Sequence, residues 1–317
     1  MALSTRGLQT LMGRVENDNR PLALVPARPA ARPLPQARAL EFDYRHLATR
    51  LEVDSKILWA RMQHAERACY TPELMRDMRE FQLSLRDGYA GLRASEMPVR
   101  YLVWASDAPR VWSLGGDLTS FTAMIRGRDE AGLRSYAHLA IDIIYENYVS
   151  MDLPILTVGL IEGDAIGGGF EAMLTDDIVI AERGAKFGLP EILFNLFPGM
   201  GAYSFLKRRV GPVTARRLIE DGITRSADEM KELGLVDIVC DKGQAEATLR
   251  GFEEENRNRF ATLHTLKRVR DRIDPVSRRE LMDVVDLWVE LAMQLNESDL
   301  RRMDCLARVQ QKRRVGG

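Results

Sequence analysis

One stretch of the chain, residues 155–202, constrains the fold more than any other. It opens with an apolar run over residues 155–161, which is typical of a buried strand. Three consecutive glycines, Gly167 to Gly169, follow, and the next residues predict a helix that begins at Phe170. A strand that passes through a glycine turn into a helix points backbone N–H groups at the space before the helix, where they favour a negatively charged oxygen. The stretch therefore predicts an α/β fold with an anion-binding turn.

Two carboxylates come directly after this turn. Glu171 falls in the first helical turn, and Glu191 follows a second apolar run over residues 178–181. Two carboxylates beside an oxyanion site suit proton transfer next to a thioester carbonyl, because its oxygen gains charge as the neighbouring carbon loses a proton. One carboxylate takes that proton, and the other, if its pKa is raised, delivers a proton to a departing hydroxyl. The residues alone also allow a structural interpretation, in which Glu171 stabilises the helix dipole and Glu191 caps another helix.

Composition narrows the classes of function. The net charge of −1 over 317 residues gives no reason to expect nucleic acid as a partner. The three cysteines and four histidines are scattered, so no metal site is predicted, and the glycine turn lacks the motifs of nucleotide binding. No apolar run reaches the ~18 residues of a membrane span. The N-terminus lacks the apolar core of a signal peptide, so a cytoplasmic protein is expected. No metal or redox cofactor is expected either.

The spacing of Glu171 and Glu191 resembles that of the two catalytic glutamates of the crotonase (enoyl-CoA hydratase/isomerase) superfamily. The sequence Asp-Ala-Ile-Gly-Gly-Gly before Glu171 resembles the second oxyanion segment of that superfamily, with Gly168 as the N–H donor. Upstream, Trp-Ser-Leu-Gly-Gly-Asp-Leu resembles the first segment, with Gly116 as the donor. The resemblance implies a spiral of repeated ββα units with a helical C-terminal part, and it implies catalytic roles for both glutamates.

Within the superfamily, residues 187–205 and 278–290 are most similar to bacterial synthases of diffusible signal factor. Such an enzyme dehydrates a 3-hydroxyacyl-[acyl carrier protein] to a cis-2-enoyl thioester. It then hydrolyses the thioester to the free cis-2-unsaturated fatty acid, which serves in quorum sensing. Which glutamate takes the C2 proton stays open. The residues expected to line an acyl tunnel are Ile166, Leu189, Met200, Trp288 and Leu306, although Trp288 is equally well interpreted as an ordinary core residue.

The resemblance also implies partners. Conventional hydratases carry an Asn-Ala-Leu element near the CoA arm, and residues 63–72 of this chain depart from it. The departure favours an acyl carrier protein thioester over acyl-CoA as the donor. The candidates for contact with an acidic carrier are Arg45, Arg67, Arg93 and Arg100, each of which also fits an ordinary solvated surface. A homotrimer or hexamer is expected, with a sensor kinase as a regulatory partner.

Three parts are predicted along the chain. Residues 1–38 are rich in proline and arginine and predict a disordered tail, residues 39–240 the crotonase core, and residues 241–317 a helical part that serves oligomerisation and the acyl tunnel. Two other functions are considered. One is an ordinary enoyl-CoA hydratase or isomerase acting on acyl-CoA, and the other is a non-catalytic crotonase-fold binding protein. The presence of both glutamates argues against the latter, because a pure binder needs neither.

Overall fold

The structure is a computed structural model that describes residues 44–64 and 67–315. The tail predicted for residues 1–38 lies outside the described residues. Within the described ranges, no helix has both the length and the apolar character needed to cross a membrane.

Ten strands occur in the part of the chain that the structure describes. They are β1 (Leu47–Glu52), β2 (Ile57–Met62), β3 (Tyr101–Ser106), β4 (Val111–Ser113), β5 (Leu156–Ile161), β6 (Asp164–Ile166), β7 (Ile178–Glu182), β8 (Lys186–Gly188), β9 (Arg225–Ser226) and β10 (Ile238–Cys240). The main sheet has the order β1-β2-β3-β5-β7-β10 and is parallel except for the β1–β2 hairpin. The short strands form a second sheet in the order β4-β6-β8-β9.

Helices connect and cover these strands. Those of the described chain are α1 (Pro72–Tyr89), α2 (Leu118–Arg126), α3 (Glu130–Tyr148), α4 (Gly168–Met173), α5 (Ala202–Glu220), α6 (Ala227–Glu232), α7 (Ala245–Asn256), α8 (Phe260–Ile273), α9 (Arg278–Ala292) and α10 (Glu297–Val315). Two 3₁₀ turns, Ser150–Asp152 and Glu191–Phe194, complete the order. The start of α1 shows how local sequence sets a boundary. The Thr71 hydroxyl accepts the Leu74 N–H at 3.3 Å, and Pro72 takes the first helical position.

The central strands of the main sheet, β2, β3, β5 and β7, are buried on both faces. Alternate residues of β3 face opposite sides, so that Leu102 and Trp104 join one core while Tyr101 and Val103 join the other. Helices α1 and α3 contribute to the first core, and α7 and α8 contribute to the second. Such double coverage explains why β3 and β5 have continuous apolar sequences. The predicted α/β architecture with a helical C-terminal part is confirmed.

Two C-terminal helices extend the first core toward the short sheet. Helix α9 packs against α3, and α10 packs against α2. Since α2 follows β4 directly, these contacts place residues of α9 and α10 beside the turns that leave the second sheet.

Candidate active site

The first glycine turn connects β4 to α2. Asp117 ends it, and the Asp117 carboxylate caps α2 by accepting the N–H groups of Thr119 at 3.2 Å and Ser120 at 3.4 Å. The Arg67 guanidinium donates to the same carboxylate at 2.9 Å. The turn itself passes through Gly115 with a φ of 81°, a conformation that favours glycine. The turn is therefore anchored at its end by a buried cap.

The second glycine turn connects β6 to α4 and lies against the first. Gly167 has a φ of 56° and a ψ of −128°, and α4 begins at Gly168, two residues before the predicted start at Phe170. A Cβ atom added to Gly115 would lie only 2.6 Å from the Gly168 nitrogen. One added to Gly168 would lie 3.5 Å from the Gly116 nitrogen. The backbones of Gly116 and Gly168, the two predicted oxyanion donors, thus meet at one place.

Glu171 is buried on the first turn of α4 with 2% of its surface exposed. Its Oε1 atom accepts the Ala202 N–H at 3.0 Å. Burial raises the pKa of Glu171 well above its ordinary value, and the negative charge of Glu191 raises it further. Both effects favour the protonated form of Glu171.

Glu191 opens the 3₁₀ turn after β8 and faces the same space. Its Oε2 atom is buried and has no hydrogen-bond partner among the described residues. Its Oε1 atom lies 2.6 Å from the position that a Cβ on Gly167 would take. Burial raises the pKa of Glu191 to about 7. Because two buried carboxylates that line one cavity resist ionising together, the negative charge of Glu191 favours the protonated form of Glu171.

Both glycines and both glutamates line one cavity of about 230 Å³. Glu171 and Glu191 supply the only charged side chains among its described lining residues, and nearly all of the others are apolar. A low-polarity enclosure of this kind strengthens interactions between fixed dipoles and a developing charge. The arrangement can hold a carbonyl oxygen, remove a proton beside it and accommodate an apolar chain.

The sequence profile of the family described as enoyl-CoA hydratase/isomerase matches residues 86–303. The chain belongs to the enoyl-CoA hydratase/isomerase family. This confirms the predicted superfamily, and the match includes both glycine turns and both glutamates.

Individual relatives of this family member were found at lower coverage or identity. This chain is 35% identical over 128 residues to the fatty acid oxidation complex subunit alpha of Idiomarina loihiensis. The matched segment is 40% of this chain and only 17% of that relative's length. Enoyl-CoA hydratase from Bacillus halodurans is similar with a TM-score of 0.66 and 22% identity, over 82% of this chain and 99% of its own. DspI of Pseudomonas aeruginosa is similar with a TM-score of 0.60 and 22% identity, over 84% of this chain and 97% of its own. At such identities the two structures establish the fold alone.

Four of the five residues predicted for the acyl tunnel of this family member line the cavity, namely Ile166, Met200, Trp288 and Leu306. Leu189 is not among the residues that line the cavity, and its side chain is fully buried in the main core. Phe187 two residues earlier is buried in the same core and contacts Phe170 edge-on. Phe187 and Leu189 therefore belong to the same core.

Trp288 is both a core residue and a residue that lines the cavity. Its ring is only 7% exposed and packs edge-on against Phe121 with 5.2 Å between ring centroids. Its other neighbour is Gly199, where an added Cβ would lie 2.5 Å from the indole. Trp288 is therefore a core residue whose surface forms part of the cavity wall.

Sequence reasoning missed the wall that α3 contributes. Tyr136, Ala137 and Ala140 line the cavity, together with Phe121 of α2. A signal existed in the sequence, since Tyr136 places a polar tip within an otherwise apolar helical stripe that includes Leu133, Ala137, Ala140, Ile141 and Ile144. Because a buried tyrosine hydroxyl needs a hydrogen-bond partner, a tyrosine in such a stripe indicates a polar contact inside the protein.

The four candidate arginines occupy different surroundings. Arg67 binds Asp117 at the first glycine turn, and Arg93 pairs with Glu96. Arg100 lies over the Phe260 ring at 5.3 Å, while Arg45 is exposed. Two of the four thus have intramolecular ion pairs, and that of Arg67 is with the residue that caps α2.

Proposed function

We propose that this family member synthesises a diffusible signal factor. It would dehydrate a 3-hydroxyacyl-[acyl carrier protein] to the cis-2-enoyl thioester and then hydrolyse the thioester to the free cis-2-unsaturated fatty acid. The observation that carries the proposal is the pair of buried carboxylates, Glu171 and Glu191, beside two touching glycine turns in an apolar cavity. The sequence similarity of residues 187–205 and 278–290 to such synthases supports the choice within the family.

In the first stage, the N–H groups of Gly116 and Gly168 hold the thioester carbonyl oxygen. Glu191, whose negative charge raises the pKa of Glu171, takes the proton from C2 as the base. Glu171, which holds its proton, delivers it to the hydroxyl on C3. The C2–H and C3–O bonds break, the C2–C3 double bond forms, and water leaves.

The second stage restores the two glutamates. Dehydration leaves Glu171 ionised and Glu191 protonated, the reverse of the starting state. Glu171 then takes a proton from a water molecule as its oxygen attacks the thioester carbonyl carbon, while the same two N–H groups hold the oxyanion. As the C–S bond breaks, Glu191 protonates the departing pantetheine sulfur. The products are the free acid and the carrier thiol, and the protonation of the pair is restored.

An ordinary hydratase or isomerase acting on acyl-CoA is the second candidate, and it is favoured by the family itself and by the relatives found. The two functions differ in donor and in product. Purified protein should be given matched 3-hydroxyacyl thioesters of acyl carrier protein and of CoA, with mass spectrometry of the products. Free cis-2-unsaturated acid from the carrier thioester supports the synthase. An enoyl-CoA ester with no free acid would identify the hydratase instead.

The remaining partners belong to the same proposal. A homotrimer or hexamer, a sensor kinase as regulatory partner and an acidic carrier protein are expected from the resemblance to the signal synthases. The exposed position of Arg45 and the intramolecular ion pairs of Arg67 and Arg93 make Arg45 the first arginine to test against the carrier.

A further inference from the structure

Tyr136 stands between two cavities. One is the active-site cavity, and the other is an outer groove of about 460 Å³ bounded by residues of α1, α2 and α3. Among the described residues, Tyr136 is the one that lines both. The side chain of Tyr136 is 8% exposed and borders both spaces.

We propose that the Tyr136 ring is the wall that limits the length of the acyl chain this protein accepts. The inference rests on the proposed function only in that an acyl chain occupies the active-site cavity. Glu171, Glu191, Gly116 and Gly168 line the same cavity as the ring, so a chain attached to the reacting thioester shares that space with Tyr136.

The wall is fixed in place by three contacts. The Tyr136 hydroxyl donates to the Tyr70 carbonyl oxygen and accepts the Asp117 N–H at 3.2 Å. Its ring packs edge-on against Phe121 with 4.9 Å between centroids. Burial raises the pKa of Tyr136 well above its ordinary value, so the hydroxyl keeps its proton to donate. Swinging the side chain aside would leave buried polar backbone groups of two elements unpaired, which opposes opening.

The outer groove has the character that an acyl tail needs. Its lining includes Met75, Ala123, Met124 and Leu139, and methionine side chains adapt to irregular apolar shapes. Its one charged lining residue, Arg76, is engaged with Glu73 at 3.0 Å. Removing the Tyr136 ring would join this groove to the active-site cavity and lengthen the space for a chain.

The test is the chain-length dependence of binding, measured by calorimetry with octanoate, dodecanoate and hexadecanoate as probes. We expect Tyr136→Ala to raise the affinity ratio of hexadecanoate to octanoate by roughly tenfold or more, since two additional buried methylenes suffice for that change. The ratio cancels any uniform loss of affinity. Tyr136→Phe keeps the ring and its packing against Phe121, so it should raise the ratio far less than Tyr136→Ala does.

A second substitution tests whether the groove receives the longer chain. Ala123 is exposed on α2 and lines the groove but not the active-site cavity. Ala123→Phe alone should leave the ratio as in the wild type, because the wall is intact. Combined with Tyr136→Ala, it should remove the gain. A Tyr136→Leu variant, which keeps apolar bulk, should show a smaller gain and serves if the alanine variant does not fold.

The outcomes separate this inference from the proposed function. A folded Tyr136→Ala or Tyr136→Leu protein with the wild-type ratio overturns the wall, even if carrier thioesters are turned over normally. A raised ratio in a protein that releases no free acid keeps the wall and overturns the synthase. If none of the three fatty acids binds the wild-type protein, the wall is overturned as well.

Discussion

Glu171 and Glu191 line one cavity but differ in what surrounds their oxygens. Glu171 accepts a backbone N–H from Ala202, whereas Glu191 leaves a buried oxygen without a partner among the described residues. Burial raises both pKa values, and the charge of Glu191 adds to the rise at Glu171. The charge of Glu191, which raises the pKa of Glu171, is the basis on which we propose Glu171 as the acid and Glu191 as the base; the Ala202 N–H acts in the opposite direction, because it favours the ionised form of Glu171.

The assignment predicts different responses to a better leaving group. Glu171→Gln and Glu191→Gln should each lower the dehydration rate by ~10²–10⁴, the usual effect of losing a positioned acid or base. A 3-fluoroacyl thioester loses fluoride, which departs without prior protonation, so Glu171→Gln should recover most of its rate on this substrate. Glu191→Gln should not recover. Equal recovery by both variants would show that the two roles are not divided in this way.

Burial of Glu191 also predicts a pH-dependent stability. Because burial raises the pKa of Glu191 from 4.5 to about 7 in the folded protein, the folded state holds this proton more tightly than the unfolded chain does. The stability that protonated Glu191 contributes to the fold is complete below pH 4.5 and is lost as pH rises through 7. Glu191→Gln should therefore raise the free energy of unfolding above pH 7 by an amount on the order of 1–3 kcal/mol, with the gain disappearing below pH 4.5. Urea unfolding at several pH values measures it.

The exposed Glu290 on α9 supplies the matched control. Glu290→Gln removes a carboxylate that water already solvates, so this substitution should change the free energy of unfolding little. A gain for Glu191→Gln that did not vary with pH would contradict a titrating origin.

At the scale of elements, the site depends on the contact between the β4–α2 and β6–α4 turns. Gly115→Ala would place a Cβ 2.6 Å from the Gly168 nitrogen, at a φ of 81°. We expect this variant to lose both dehydration and hydrolysis, because both stages develop charge on the same carbonyl oxygen. Loss of only one activity would indicate two separate oxyanion sites.

Gly91 gives a control with the same backbone strain and no neighbour. Its φ is 78°, and an added Cβ would meet nothing within 4 Å. Gly91→Ala should therefore cost stability of about 1 kcal/mol, as expected for a left-handed non-glycine residue, while keeping full activity. Thermal unfolding and product formation by both alanine variants separate strain from the turn contact.

Elements with strong local signals were predictable from sequence, and the others depend on distant partners. Thr71 and Pro72 predict the start of a helix from local sequence alone, and the apolar run of β5 predicts a strand in the same way. The strands of the second sheet are two or three residues long, too short to show periodicity, and exist because their neighbours pair with them. Glu171 and Glu191 were predicted from a local motif beside a glycine turn, whereas the α3 wall depends on long-range packing, which no local pattern shows.

At the scale of the molecule, the proposed carrier protein predicts a salt-dependent preference. A carrier protein is acidic and would bind through arginines, with Arg45 the exposed candidate, whereas a CoA ester would draw affinity from a nucleotide pocket. The ratio of kcat/KM for the carrier thioester over the CoA ester should exceed one at low salt. It should fall as ionic strength passes about 0.15 M, where the Debye length is ~8 Å. Competition kinetics at two salt concentrations measure the ratio.

Equal use of the two donors at low salt would contradict the carrier protein and favour the hydratase. Arg45→Glu should lower the ratio at low salt and leave CoA turnover unchanged. Arg279→Glu on α9, whose side chain is 90% exposed, is the matched charge reversal and should change neither activity.

Gly199 and Trp288 share a single volume, because the indole occupies the space that any side chain at residue 199 would need. The two positions are therefore not free to diverge separately over evolutionary time. Homologous sequences that keep tryptophan at 288 should keep glycine at 199, and a larger residue at 199 should appear only after the indole has been replaced by something smaller. Such paired inheritance would carry the shape of the cavity from ancestor to descendant.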